Sequence, residues 1–438
     1  MSKITAVIQA GGLGTRMREL TQDLIPKPML EMNGKPLLSW QIENLSRYGI
    51  EDFVLIVGHL GDKIKDYYRD GESLGVKIAY IDENEPLGSG GSLFYLRNFP
   101  SDIYLLIYGD VMFDVDISRW INFHESKNSM VTPACHPNSH PYDSDIVLTD
   151  SDSKITGFLW KKDKRDKWFP NMGNSGLFVF DKAVLDEIST PVKCDWEKDV
   201  ISKLVNQGKV YSYKTTEYIK DTGTPERFEI AKKEQLDGIW EKRNLSKKQK
   251  CVFLDRDGTV NKYNGLISEP EQLVLEDGVT EAIKKLNESG YLAIVVTNQP
   301  VVARGMCNEE DVRLIHWKIE TLLGQEGAYL DDIIYCPHHP DKGYPEENPL
   351  YKIVCSCRKP KIGMINTMTE KYNIDLAASY MVGDTTVDIQ TGINAGTKTI
   401  LLQSGEGGSD GKYDVKPDYE ARNLLDAVRI ILEGNGND

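Results

Sequence analysis

Residues 4–16 read Ile4-Thr5-Ala6-Val7-Ile8-Gln9-Ala10-Gly11-Gly12-Leu13-Gly14-Thr15-Arg16. A short β-branched apolar run ends in a turn with three glycines, followed by a hydroxyl and a cation. The run has the character of a strand buried on both faces. Gly11, Gly12 and Gly14 let backbone N–H groups approach phosphate oxygens where a Cβ would stand in the way, and Arg16 adds charge. Met17 stands where a dinucleotide fingerprint needs its third glycine, and no Gly-Lys-Ser/Thr follows, so neither the Rossmann nor the Walker loop is present. Further on, Leu24-Ile25-Pro26-Lys27-Pro28-Met29 sets Lys27 between two prolines that stiffen its backbone.

Outward from this turn, strand-like and helix-like stretches alternate. Ile4 to Ala10, Asp52 to Val57, Val76 to Ile81 and Ile103 to Tyr108 read as strands; Leu38 to Tyr48, Asp62 to Tyr68 and Ser92 to Asn98 read as helices between them. That alternation predicts a mostly parallel sheet covered on both faces. The stretch from about 129 to 220 is richer in strands and predicts an antiparallel portion. A helix begins near Pro225, and 237–249 is a polar, basic run read as a linker or surface helix. A second α/β pattern follows: Cys251 to Leu254, Leu292 to Thr297, Tyr380 to Val382 and Thr399 to Leu402 as strands, and Gly278 to Ser289 as a helix. With 438 residues, the chain is expected to hold a first domain over 1–236, a linker over 237–249 and a second domain over 250–438.

Net charge is −15, which argues against a nucleic-acid or anionic-membrane partner. No apolar run has the roughly 18 residues of a membrane span, and the N-terminus reads as a strand, not a secretory signal. A cytoplasmic chain is expected; its oligomeric state is not legible. The 7 cysteines do not suggest a disulfide framework. Cys135, Cys194, Cys251 and Cys307 are scattered and read as buried or incidental thiols.

The Gly-Gly-x-Gly-Thr-Arg … Pro-Lys-Pro-Met stretch resembles the signature of the sugar nucleotidyltransferases, over roughly the first 235 residues. Glu85-Pro86-Leu87-Gly88 resembles the family's nucleotide-contacting loop. Asn174-Ser175-Gly176 and Glu197-Lys198-Asp199 resemble its sugar-binding motifs, with Asn174, Gly176 and Glu197 at the sugar phosphate. The resemblance makes Asp110 and Asp221 magnesium ligands, Arg16 and Lys27 the cations that balance the triphosphate, and Lys161, after Trp160, the sugar-phosphate lysine. It implies a Rossmann-like, mixed-sheet domain of the GT-A-like kind. Trp160 stands where Glu is usual and Lys162 where Pro is usual, so Lys162 competes with Lys161; Glu19 replaces a common proline. In the implied reaction a sugar 1-phosphate oxygen attacks the α-phosphorus of a nucleoside triphosphate and pyrophosphate leaves.

Phe253-Leu254-Asp255-Arg256-Asp257-Gly258-Thr259-Val260 places two carboxylates just past an apolar run. The remaining ligands and sixth-position glycine of an EF-hand are absent. The run resembles the first motif of the haloacid dehalogenase superfamily, which implies that Asp255 attacks phosphorus and Asp257 works as general acid and then base. The other motifs follow in order: Thr297 and Asn298 for phosphate, Arg358-Lys359-Pro360 for the lysine, and Asp384 in Val382-Gly383-Asp384-Thr385-Thr386-Val387-Asp388. Magnesium is implied on Asp255, the Asp257 carbonyl and Asp384. Cys336-Pro337-His338-His339 and Cys355-Ser356-Cys357 offer three sulfurs and an imidazole, a closed set that suits structural zinc on Cys336, His338, Cys355 and Cys357; His339 is the competing ligand. With these segments the resemblance narrows to the heptose-1,7-bisphosphate phosphatases and the related histidinol phosphatases. Pro300-Val301-Val302 departs from the usual Ser-Gly-Ile in a segment expected near the substrate, while Arg304 is expected to grip the distal phosphate and Arg358 to contact the substrate.

Together the resemblances imply one pathway: the second domain removes the 7-phosphate of a heptose bisphosphate, and the first activates the resulting heptose 1-phosphate, with GTP the expected donor. A hexose transferase fused to another metabolite's phosphatase, such as one for histidinol phosphate, and a nucleotide-sugar-binding regulatory protein are the competing readings.

Overall fold

The computed structural model describes residues 2–12, 14–343 and 346–434; Met1, Leu13, Tyr344, Pro345 and 435–438 lie outside the described residues, and with them the expected outer bounds 1 and 438. The chain divides into two compact units. The first takes the chain up to His136, then Asp145–Trp160 and Met172–Asn244; the second takes Pro137–Ser144, Lys161–Asn171 and the chain from Leu245.

In the first unit β1 (Ile4–Gln9), β2 (Asp52–Val57), β3 (Lys77–Asp82) and β4 (Ile103–Tyr108) run parallel. Side chains alternate across the sheet. Ala6 and Ile8 join a cluster with Leu38 and Ile42 of α1 (Leu37–Ser46) and Ile64 of α2 (Gly61–Tyr68). Val7 joins another with Val54, Ile56, Leu96 and Trp196. Burial on both faces explains the continuous apolar run. Then come β5 (Val111–Asp114), β6 (Val131–His136), β7 (Ile146–Thr149), β8 (Ile155–Leu159), β9 (Gly173–Asp181), β10 (Tyr213–Lys214) and β11 (Tyr218–Asp221). The main sheet has the order β8-β7-β9-β4-β1-β2-β3, with β6 between β9 and β10, while β5 and β11 form a separate ribbon. The expected antiparallel portion is here: β9 pairs antiparallel with β4, β6 and β7.

Strand order reverses at β1, with β2 on one side and β4 on the other. Such a switch point opens a crevice beyond the C-terminal strand ends. The glycine turn leaves β1 there, and Gly109-Asp110 leaves β4 beside it.

In the second unit β12 (Lys250–Leu254), β13 (Tyr291–Asn298), β14 (Asp332–Cys336), β15 (Tyr380–Gly383), β16 (Lys398–Leu402) and β17 (Tyr419–Ala421) form a parallel sheet of order β14-β13-β12-β15-β16-β17. Its switch point lies at β12, so Asp255, Thr297 and Asp384 all emerge at one crevice.

One expectation is corrected: Ser92 to Asn98 lies in a tighter 3₁₀ coil, Gly91–Asn98. Within 237–249, expected as a linker or surface helix, the chain after α3 (Pro225–Leu236) forms α4 (Ile239–Arg243), which buries Trp240 against Tyr218 and Trp40, and Asn244 donates to Asp114 Oδ1 at 2.6 Å. The units part between Asn244 and Leu245.

Candidate active sites

The first crevice is a cavity of about 530 Å³ lined by residues including Gly11, Gly12, Gly14, Thr15, Arg16, Lys27, Gly88 and Asp110. Gly14 takes a left-handed φ of +59° and brings the turn against Lys27. Lys27, pinned by a 3₁₀ turn that starts between its prolines, puts Nζ 2.7 Å from Asp110 Oδ2. Asp221 ends β11, paired opposite Val111, one residue on from Asp110. Thr222 fastens the two strands, its N–H donating to the Asp110 carbonyl at 2.7 Å. Asp221 Oδ2 pairs with Arg227 Nη1 at 2.6 Å. A Cβ on Gly223 would lie 2.9 Å from Arg16 Nη2 and 2.7 Å from Asp221 Oδ1, so this glycine lets cation and carboxylate share the rim.

Beside this lies a second polar group. Tyr108 Oη donates to Glu197 Oε2 at 2.8 Å and Asn174 Nδ2 to Oε1 at 3.2 Å. A Cβ on Gly176 would sit 2.8 Å from the Tyr108 ring. Desolvation pushes the Glu197 carboxyl up to about 7, with the Tyr108 hydroxyl opposing it and Asp195 adding to it. Lys161 falls among the residues of the second unit and forms an ion pair with Asp143. Lys198 instead lies over the Trp160 ring, 5.1 Å from its centroid.

In the second crevice Asp255 Oδ1 stands 2.8 Å from Lys359 Nζ, which lies 2.5 Å from Asp388 Oδ1. Asn298 holds the lysine's backbone through Lys359 N–H to Oδ1 at 3.0 Å and Nδ2 to the Lys359 carbonyl at 3.2 Å. Burial opposes the lysine's charge, but Asp255 and Asp388 outweigh it and hold the ammonium above its ordinary range. Asp384 is pushed up to about 8 by burial, then by Asp255 and Asp388. Its Oδ1 is buried and accepts no hydrogen bond among the described residues. Asp255, Asp384 and Asp388 bring carboxylate oxygens within 4.8 Å of one another. Three carboxylates against one ammonium leave an excess of negative charge that a divalent cation fits.

Asp257 sits in a cage of donors: Arg256 Nη2 at 2.9 Å and Gln299 Nε2 at 2.8 Å on Oδ2, and Asn261 Nδ2 at 3.0 Å on Oδ1. Burial works to raise its carboxyl, but Arg256 and the amides prevail and lower it. Thr297 is buried, and its Oγ1 accepts from Gln299 at 3.0 Å. Arg358 donates to the His338 carbonyl at 3.1 Å. Burial lowers its guanidinium, and nearby Arg304 adds to that; two adjacent cations suit an anionic group. Val301 and Val302 are buried and pack with Val312, between Gln299, which donates to Asp257, and Arg304.

Cys336, His338, Cys355 and Cys357 place ligand atoms within 4.8 Å of one another. Cys357 Sγ is 3.2 Å from the sulfurs of both Cys336 and Cys355 and 3.3 Å from His338 Nδ1. A tetrahedron with zinc–sulfur bonds of about 2.3 Å has edges of about 3.8 Å, so this set is slightly contracted but of the right shape.

The sequence model described as Nucleotidyl transferase matches residues 5–238, more than half of the chain. The chain belongs to the nucleotidyl transferase family. A second model, HAD-hydrolase-like, matches residues 356–427. The D-glycero-beta-D-manno-heptose-1,7-bisphosphate 7-phosphatase of Haemophilus ducreyi is 40% identical over 185 residues, which are 42% of this chain and 98% of that protein. The chain belongs to this phosphatase family as well. The mannose-1-phosphate guanylyltransferase of Mycobacterium tuberculosis is 31% identical over 240 residues, 54% of this chain and 66% of that protein. The structure of HddC from Yersinia pseudotuberculosis is similar at 27% identity and a TM-score of 0.47, covering 54% of this chain and 100% of that one. The protein is thus a bifunctional enzyme, a nucleotidyltransferase joined to a phosphatase.

Sequence reading had singled out neither Glu83 in the transferase cavity nor Asp388, Asn261 and Arg256 in the phosphatase site. Asp388 carried a signal: it stands in the same motif as Asp384, at the third position of a helix that Thr385 caps. Glu83 had none beyond its position after a strand. No helix among the described residues is long and apolar enough to cross a membrane.

Proposed function

We propose that the phosphatase unit removes the 7-phosphate of D-glycero-D-manno-heptose 1,7-bisphosphate and that the transferase unit then moves GMP from GTP to the resulting heptose 1-phosphate. The observation that carries this is the presence of two reacting sets on one chain, where the product of one is the nucleophile of the other. The names of the relatives of both halves support it.

In the transferase, Arg16 and Lys27 balance the triphosphate while Asn174, Gly176 and Glu197 hold the sugar, so that the 1-phosphate oxygen lies in line with the α-phosphorus. Lys161 remains the proposed sugar-phosphate lysine. Asp110 and Asp221 would hold a magnesium ion, which supplies further neutralisation at the phosphates.

In the phosphatase, Asp255 attacks phosphorus to form an aspartyl-phosphate as the bond to the sugar oxygen breaks. Asp257 is ionised at rest. It takes up the proton of a bound monoester monoanion, whose pKa is near 6, and passes it to the leaving oxygen. It then takes a proton from the water that attacks the aspartyl-phosphate. Lys359, Thr297 and Asn298 hold the phosphoryl group, and Arg304 and Arg358 the distal phosphate. Asp255, the Asp257 carbonyl and Asp384 would hold magnesium, which offsets the carboxylate crowding; Asp388 keeps Lys359 in place. Cys336, His338, Cys355 and Cys357 would hold a structural zinc that fixes the loop carrying Arg358 and Lys359.

The test gives purified protein, magnesium and the heptose bisphosphate with each common nucleoside triphosphate in turn, following phosphate and pyrophosphate separately. Phosphate release followed by pyrophosphate with GTP is expected. Release of neither would overturn the heptose reading, and phosphate alone would overturn the transferase half.

A further inference from the structure

Between β16 and β17 of the phosphatase unit the chain reads Gln403-Ser404-Gly405-Glu406-Gly407-Gly408-Ser409-Asp410-Gly411. Glycines and short polar residues give this run no core of its own, yet its bonds converge on one place. The Ser404 hydroxyl donates to the Gly258 carbonyl at 2.9 Å, and the Gly408 N–H to the Asp384 carbonyl at 2.8 Å. The Glu406 N–H donates to Asp384 Oδ2 at 2.7 Å. Asp410 then takes both donors of Thr386, the N–H at 2.7 Å on Oδ1 and the hydroxyl at 2.8 Å on Oδ2. The Tyr413 N–H returns to the Thr386 hydroxyl oxygen at 3.1 Å. The run is therefore a strap from the Asp255 motif, across Asp384, to the first turn of the helix Thr386–Ala395, which carries Asp388.

Each fastening has a consequence at the metal site. Asp384 is 1% exposed and shares its surroundings with Asp255 and Asp388, so repulsion favours any rotation that takes its carboxylate away from them. The Glu406 N–H opposes that rotation by occupying Oδ2. Oδ1, buried and accepting no hydrogen bond among the described residues, is left for an ion. Gly405 lets the strap come this close: its φ is +62°, and a Cβ there would collide with Asp384 Oδ2. The far end needs an anchor, because glycines leave a backbone loose once it is unfastened. Asp410 supplies that anchor from outside the three carboxylates of the site. We propose that the strap 404–411 sets the divalent-cation affinity of the phosphatase unit, with the Glu406 N–H holding Asp384 in its ligating position and Asp410 as the positioning residue that fastens the strap to Thr386. The inference rests on the magnesium reading of Asp255 and Asp384 and adds the element that decides how tightly the ion is held.

The test uses the full chain without nucleotide. It follows binding of manganese, an oxygen-seeking stand-in for magnesium, through loss of the free ion's electron spin resonance signal. Asp255→Asn marks which part of the binding belongs to this site. Asp410→Ala is expected to weaken that part roughly tenfold or more, while Asp410→Asn, which keeps an oxygen for Thr386, stays within about threefold of the wild type. Phosphate release should follow: Asp410→Ala needs about tenfold more magnesium for its half-maximal rate, and at saturating magnesium its kcat and its KM for the heptose bisphosphate come within about twofold of the wild type. A merely structural loss would lower kcat at every magnesium concentration. Glu406→Pro, which removes the N–H, is compared with Glu406→Gln, which removes the same charge and keeps it; the first is expected to bind manganese about tenfold more weakly than the second. Unchanged manganese affinity in Asp410→Ala overturns the proposal, and if that variant does not fold, equal affinities for the Glu406 pair overturn it. A rate deficit in Asp410→Ala that saturating magnesium leaves in place overturns it too. If Asp255→Asn binds manganese as the wild type does, the magnesium reading itself falls, and the proposal with it.

Discussion

Glu197 and Gly258 show how single positions carry the two chemistries. Glu197 holds its proton up to about pH 7 in the folded protein, against an ordinary value of 4.5, chiefly through desolvation. A carboxyl raised in this way lends stability that is fully present below its unfolded value and is lost as pH rises through the folded one. Glu197→Gln, which keeps the shape without the charge, should therefore melt increasingly above the wild type as pH goes from 5 to 8; parallel melting curves would refute this. Gly258, at φ +77°, would place a Cβ 2.2 Å from Asp384 Oδ2. Gly258→Ala is expected to cost about 1–3 kcal/mol through its backbone alone and to lower phosphatase kcat at least tenfold, read by phosphate release, with transferase rates unchanged. At this scale the sequence was legible where a motif fixes chemistry and spacing together, as at Asp255 or Arg16. Glu83 and Arg256 were not legible, because a lone Glu after a strand and an Arg between two motif aspartates carry no spacing that marks a role, although their partners Leu87, Ser92 and Asp257 lie close by in the chain.

Elements were legible where burial on both faces writes a continuous apolar run, as in β1 and β12. They were less so where polar composition hides a packed face. The run 237–249 looks basic and solvated, yet Trp240 is only 3% exposed and its ring lies 5.0 Å from that of Tyr218. Trp240→Ala should cost about 3–5 kcal/mol in denaturant unfolding of the first unit, whereas a free linker would lose almost nothing. The loop bearing Cys355 and Cys357 was legible by its spacing, since three sulfurs and an imidazole have few other uses so close together. One equivalent of zinc per chain is expected by metal analysis. Cys355→Ser should lose it, lower the melting temperature and cut phosphatase kcat about tenfold or more, because Lys359 depends on the loop's position. A zinc-free wild type with full phosphatase activity in magnesium would contradict that account.

On the scale of the whole chain, the two units answer to two separate families, and both crevices open where strand order reverses. The two-domain plan was visible in the alternation of strands and helices. The clustering of Pro137–Ser144 and Lys161–Asn171 with the second unit was not, since no periodic pattern marks such segments. The central claim is that both units act on one sugar in a fixed order, and one measurement tests it directly. Asp255→Asn protein is given the heptose bisphosphate with GTP, then heptose 1-phosphate with GTP, and pyrophosphate is followed in each. The account predicts no pyrophosphate from the bisphosphate and a wild-type rate from the monophosphate. Pyrophosphate formed from the bisphosphate while the phosphatase is silent would contradict it.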